Sequence, residues 1–228
     1  MDLEYPRQLG ILPKSSPTHF GYDVAPIIKL SSFIRNEAHR IGLGEVPTPL
    51  SQYINHMQDG GNKLRDKFGN NYLAEKAIER IATYRREKQG YAENGTMLPG
   101  RRAYIIDSIK NLEELEILRQ IYRETLCVVG VFAPDAMRKT RLVYGGADEN
   151  EVRNVLDRDL HEVATFGQNT RKIFVQSDFF ICNDKKLDEL KRRLHRYMEI
   201  IFDTNIRLRR GQNAGRNRRQ CFSPRSRQ

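Results

Sequence analysis

Six residues stand where they could do chemistry on a phosphate-bearing ligand: Asp107, Arg158, Asp159, Gln168, Asn169 and Arg171. Asp107 closes the apolar run Arg102-Ala-Tyr-Ile-Ile-Asp107. In α/β sheets ligands collect at the carboxyl ends of strands, and a carboxylate there can hold a magnesium-bound water or a substrate hydroxyl. Arg158-Asp159 and the cluster Gly167-Gln-Asn-Thr-Arg171 lie between two helical stretches. Arginine in such a place grips phosphate with two parallel N–H donors. For each group there is a plainer reading: a turn carboxylate for Asp107, and solvated helix faces for the others.

Two complete motifs are missing from the text. A phosphate-binding loop needs G-x-x-x-x-G-K-[ST], so that glycine amides surround the phosphate and lysine supplies charge. Gly10-Ile-Leu-Pro-Lys-Ser-Ser16 has the Lys-Ser pair but a single glycine, and Pro13 removes an amide the loop would need. A zinc-activated water of the nucleobase-deaminase kind needs His-x-Glu followed by Pro-Cys-x-x-Cys. His161 is followed directly by Glu162, and Cys182 is followed three places on by Lys185, so no zinc site is expected in this chain. Cys127 and Cys182 fall in apolar runs and read as inert core thiols. With Cys221 they make an odd, widely spaced set, which suits a reducing, cytoplasmic setting better than a disulfide framework.

The elements that must position these residues alternate between strand and helix. Strand-like text covers 22–30, 102–107, 126–132 and 178–182, with Pro26 weakening the first. Ser31-Ser32 read as a cap for a short helix over 33–41 closed by Gly42 and Gly44. Apolar residues at helical spacing cover 51–68, with Gly60-Gly61 as a weak point, and 73–82, followed by a polar loop over 85–99. Asn111 can cap a helix carrying Leu112, Leu115, Leu118 and Ile121. Further helices are expected after Pro134 through Arg141, over 151–160, within 166–177, and from Leu187 to Phe202. Strands separated by helices imply a parallel sheet with helices on both faces, a three-layer α/β fold.

The chain has 228 residues and a formal net charge of +10. Eight of the 39 basic residues are arginines between Arg207 and Arg227, where no acidic residue occurs; the remaining 31 face 29 acidic residues, so residues 1–206 carry only +2. The basicity therefore sits in a tail that could touch nucleic acid weakly and without sequence preference. No apolar run approaches the length of a membrane span, so no membrane partner is expected.

Arg102-Ala-Tyr-Ile-Ile-Asp-Ser-Ile-Lys-Asn111, Glu114-Leu-Glu-Ile-Leu-Arg119, Val128-Val-Gly-Val-Phe132, Phe166-Gly-Gln-Asn169 and Phe174-Val-Gln-Ser-Asp-Phe-Phe-Ile181 together resemble the N-terminal domain of bacterial two-domain dCMP/dCTP deaminases of the anti-phage type, as does Phe20-Gly-Tyr-Asp-Val-Ala-Pro-Ile27. The resemblance runs over roughly residues 20–203. It implies a fold like that of the P-loop deoxynucleoside monophosphate kinases, binding of a deoxynucleotide with magnesium at the six residues named above, and a zinc deaminase domain as the usual neighbour. It also implies a part in deoxynucleotide metabolism and antiviral defence.

Both ends depart from that pattern. Residues 1–19 read as an irregular lead without the family's first strand and phosphate loop, and 204–228 as an Arg-rich tail expected to lack fixed structure. Composition alone reads these ends as a truncation or an altered frame. The expectation is a nucleotide-binding, regulatory domain without its own deaminase site. The alternatives are a nucleic-acid or partner-binding module working through the tail, and a small nucleotide kinase. A separate deaminase domain or a second copy of the chain would be its protein partner.

Overall fold

The computed structural model describes residues 21–89, 93–96, 100–161, 170–184 and 187–202. In chain order these form β1 (Asp23–Val24), β2 (Ile28–Lys29), α1 (Leu30–Asn36), a 3₁₀ turn (Ala38–Ile41), α2 (Leu50–Phe68) and α3 (Tyr72–Gln89). There follow β3 (Arg102–Ala103), β4 (Ile106–Asp107), α4 (Leu112–Tyr122), β5 (Val129–Phe132), α5 (Asp135–Tyr144), α6 (Glu149–His161), α7 (Thr170–Val175), β6 (Phe179–Cys182) and α8 (Leu187–Phe202).

All strand pairing among the described residues is parallel: β1 with β3, β2 with β4, and β5 with β6. The first two ladders are one strand pair with a flaw in it. Val24 faces Ala103 and Ile28 faces Ile106, so three residues on one strand oppose two on the other. The extra residue falls at Ala25–Ile27, where Pro26 has no amide to donate. The ladder is picked up on either side by the Ala25 amide donating to the Ala103 carbonyl and the Ile28 amide to the Ile105 carbonyl. A bulge with proline at its centre belongs at a sheet edge, where a missing donor faces outward. The sequence places the strand and its weak point correctly. No ladder among the described residues joins this pair to the β5–β6 pair. The architecture is therefore mixed α/β built from small parallel sheets with many helices.

Helix ends follow local chemistry. Asn111 caps α4 by accepting the Glu113 amide, and Glu114 accepts the Asn111 amide in return, closing a capping box. Gly42, at φ 58°, ends the 3₁₀ turn in a left-handed conformation that costs glycine nothing. Three local expectations change. Ser31 and Ser32 lie inside α1 and do not cap it; the Ser32 hydroxyl donates back to the Lys29 carbonyl at 2.6 Å. α3 continues to Gln89, because the polar run Arg85-Arg86-Glu87-Lys88 contains good helix formers and neither proline nor glycine. α2 passes unbroken through Gly60-Gly61.

Those two glycines are where α1 meets α2. The main core joins Ile28, Leu30 and Ile34 to Met57 and Leu64 of α2 and to Leu73, Ala77 and Ile81 of α3. A Cβ on Gly60 would lie 2.6 Å from Ile34 Cγ2 and 2.8 Å from Leu43 Cδ2. The glycine thus trades helix propensity for a closer helix contact. Smaller clusters join Leu50 to α5 and α6, Leu115 to Val128 and Ile173, and Ile181 to Leu190 and Leu194. Ile109 packs on both the main core and the Leu115 cluster, so the turn after β4 connects the two halves.

Gly60→Ala is expected to destabilise the protein. Overpacking of about 1–3 kcal/mol exceeds the propensity gain of at most about 1 kcal/mol. The measurement is the urea unfolding midpoint, which falls; a midpoint equal to or above wild type contradicts the close approach of the two helices.

Candidate functional site

Parallel strands bring their carboxyl ends to one side, and β2 and β4 end level with each other. Lys29 pairs in register with Asp107, so a cation and a carboxylate close adjacent strands. Lys29 is exposed and Asp107 half-buried. Asp107 Oδ1 accepts the Ser108 hydroxyl at 3.0 Å. Ser108 has φ 74°, a left-handed conformation uncommon for a residue with a Cβ. The strand therefore stops sharply, and the chain turns at once into α4.

That turn is held by a buried ion pair. Arg65 of α2 and Glu114 of α4 are 2% and 0% exposed at their side chains, with Nη2 and Oε1 2.7 Å apart. Arg65 Nε donates to the same oxygen at 2.8 Å. The other carboxylate oxygen accepts the amides of Lys110 at 3.0 Å and Asn111 at 3.1 Å. Both oxygens are thus occupied, as a charge this deep requires. One consequence is chemical. The Lys110, Asn111 and Glu113 amides are taken by Glu114 and Asn111, so these donors are not available to a phosphate.

Asp178 plays a similar part ahead of β6: Oδ2 accepts the Val128 amide at 2.8 Å, and Arg119 lies 3.6 Å from Oδ1. At the carboxyl end of β6, Arg141 donates to the Asn183 carbonyl at 3.1 Å, and Arg193 donates to the Cys182 carbonyl at 2.8 Å. Arg193 also pairs with Glu189 at 3.2 Å, and Arg141 also donates to the Asn183 side chain at 3.3 Å, so both guanidiniums are engaged within the protein. Cys127 and Cys182 are half-buried, not core. Beside the main core, Arg40 donates to Glu37 at 2.7 Å and to the Tyr72 hydroxyl at 2.9 Å. The hydrogen bond from Arg40 holds the Glu37 carboxyl below the usual carboxylate range, while burial pushes the Tyr72 phenol up. This network faces α1–α3 rather than the strand ends.

Of the six residues singled out in the sequence, Asp107 sits at the carboxyl end of β4 as expected. Arg171 is exposed in α7. No hydrogen bond or ion pair joins Arg171 to Asp107 among the described residues. Arg158 and Asp159 fall on α6, with side chains outside what the structure describes, and Gln168 and Asn169 lie outside the described residues. Sequence reasoning missed Lys29 and Arg65. Lys29 was legible as the polar residue closing the first strand. Arg65 was not, because it follows Leu64 on the buried stripe of α2 and has a partner 49 residues away. No helix among the described residues is long and apolar enough to cross a membrane.

No family model matches the chain. UPF0200 proteins of Saccharolobus islandicus and Saccharolobus solfataricus are 21% identical over 139 residues, which is 60% of this chain and 64% of theirs. The match thus spans under two thirds of the length of those relatives. A UPF0200 protein of Staphylothermus marinus is 24% identical over 184 residues, covering 80% of this chain and 82% of its own.

Arg65→Met leaves the Glu114 carboxylate buried without its counter-charge. A loss of about 3–5 kcal/mol is expected. Equilibrium denaturation measures it. A loss below about 1 kcal/mol contradicts the pair's role in holding the turn after Asp107.

Proposed function

We propose that this chain is a nucleotide-binding, regulatory domain of deoxynucleotide metabolism, kinase-like in fold, holding a deoxynucleotide at the carboxyl ends of its parallel strands. The observation that carries this reading is the pairing of Lys29 with Asp107 at the level ends of β2 and β4. A lysine there supplies charge to a phosphate without needing a glycine loop, and the adjacent carboxylate suits a sugar hydroxyl or a metal-bound water. The likeness of residues 20–203 to the N-terminal domain of the two-domain dCMP/dCTP deaminases supports the same ligand class. In that reading the two parallel pairs belong to one three-layer sheet of the nucleotide-kinase type, and the site takes part in antiviral depletion of nucleotides through a deaminase domain supplied elsewhere.

Magnesium fits in one way only. Among the described residues no group of three or more His, Cys, Asp or Glu side chains converges as a metal site. Asp107 can contribute one oxygen, with the other engaged by Ser108. A magnesium ion here would arrive on the phosphates of the nucleotide and keep most of its waters. This chain's own residues bind and orient: Lys29 meets negative charge, and Asp107 fixes the polar group beside it.

Thermal unfolding with dCMP, dCTP, dTTP and ATP, each with magnesium, tests the reading. A ligand at one hundred times its Kd stabilises by about 2.7 kcal/mol, a plain upward shift in Tm. A shift with a deoxynucleotide, reduced in Asp107→Asn, is expected. A cooperatively unfolding protein that shifts with none of the four contradicts the proposal.

A further inference from the structure

The bulge at Pro26 does more than weaken a ladder. Behind it, between α1, α3 and the β1–β2 strand, opens a cleft of about 530 Å³. Its wall carries Lys29, Phe33, Asn36, Arg80, Tyr84 and Tyr104. Proline at the strand edge supplies no amide, so this edge is poorly suited to pairing with a further strand and is left to side-chain chemistry.

Two features of the cleft point to one kind of occupant. Its described lining contains two cations, Lys29 and Arg80, and no carboxylate. Neither cation has an ion pair among the described residues, and a site of one sign concentrates ligands of the other. Tyr84 and Tyr104 stand edge to face, with ring centroids 6.1 Å apart and planes at 89°, forming a right-angled aromatic corner. Such a corner offers a flat ring both a face and an edge.

We infer that this cleft is a binding subsite for an aromatic ring carrying a phosphate group: the ring lies against Tyr84 and Tyr104, and the phosphate meets Arg80 and Lys29. That the ring is a nucleobase rests on the function proposed above; the demand for an aromatic phosphate does not. Lys29 belongs to both the cleft and the strand ends, so one ligand can engage both.

Calorimetric titration of the full chain with dCMP, deoxycytidine, deoxyribose 5-phosphate and phenyl phosphate tests this. Expected is binding of dCMP about tenfold or more tighter than of deoxycytidine or deoxyribose 5-phosphate, since each lacks one half of the match. Arg80→Ala and Tyr84→Ala each weaken dCMP about fivefold or more, and Arg80→Lys retains most of the affinity. Arg80 is exposed, so its variants keep the fold, and thermal melts of each variant check this. Binding of dCMP unchanged by Arg80→Ala and Tyr84→Ala overturns the cleft assignment and leaves the nucleotide reading standing. Phenyl phosphate binding as tightly as dCMP, with the same sensitivity to both variants, upholds the cleft and removes the nucleotide reading. No heat from any of the four at millimolar concentration overturns both.

Discussion

The contact between Arg65 and Glu114 fixes how the strand ends are presented. Two opposite charges are taken out of water, and every lone pair that burial would orphan is used: one carboxylate oxygen by the guanidinium, the other by two backbone amides. Desolvation offsets much of the attraction in such a pair, so its contribution is less one of net stability than of placement. A hydrophobic pair could fill the same space, but it could not pin the Lys110 and Asn111 amides, and with them the turn that follows Asp107. Helix α2 is thereby tied to the start of α4, and the carboxylate at the end of β4 is held beside Lys29. Arg65 is itself confined by its neighbours, since a Cβ on Gly61 would come within 3.2 Å of its Nη1.

Around that anchor the fold is assembled from close approaches that small residues permit. Gly60 lets α1 lie on α2. Gly130 does the same for β5 and α7: a Cβ there would lie 2.7 Å from Ser177 Oγ and 2.9 Å from the Phe174 ring. Phe174 then packs edge-on to Phe180 of β6 at 5.0 Å. Coverage varies within the β5–β6 pair: Ile181 is buried, whereas Val131 and Phe132 at the end of β5 are 45% and 51% exposed. Parallel strands ordinarily have both faces covered, as the expected three-layer fold implies. The end of β5 departs from it.

Much of the element order could be read from period and punctuation. Strands at 102–107 and 178–182 follow from short apolar runs, and the capping of α4 follows from Asn111 with Glu114 three places on. The departures at α1 and α2 share a cause. Ser31, Ser32, Gly60 and Gly61 were weighed by local preference, and tertiary packing of α1 against α2 overrode it. The loop expected over 85–99 was judged by polarity, although Arg, Glu and Lys are good helix formers on an exposed face. At the site, Asp107 was legible because a carboxylate closing an apolar strand is a local signal. Arg65 and the aromatic corner of Tyr84 and Tyr104 were not, since each depends on a partner 49 or 20 residues away and neither has a spacing rule.

In the proposed function, ligand binding is localised to the ends of β2 and β4 and the cleft beside them. Backbone amide NMR of the full chain, titrated with dCMP and magnesium, reads that location residue by residue. Saturable shifts concentrated at Lys29, Asp107, Ser108 and the Arg80–Tyr84 stretch of α3 are expected. Shifts confined to the arginine-rich residues 207–227, weakening steeply with salt, would contradict it and assign the binding to unspecific phosphate attraction.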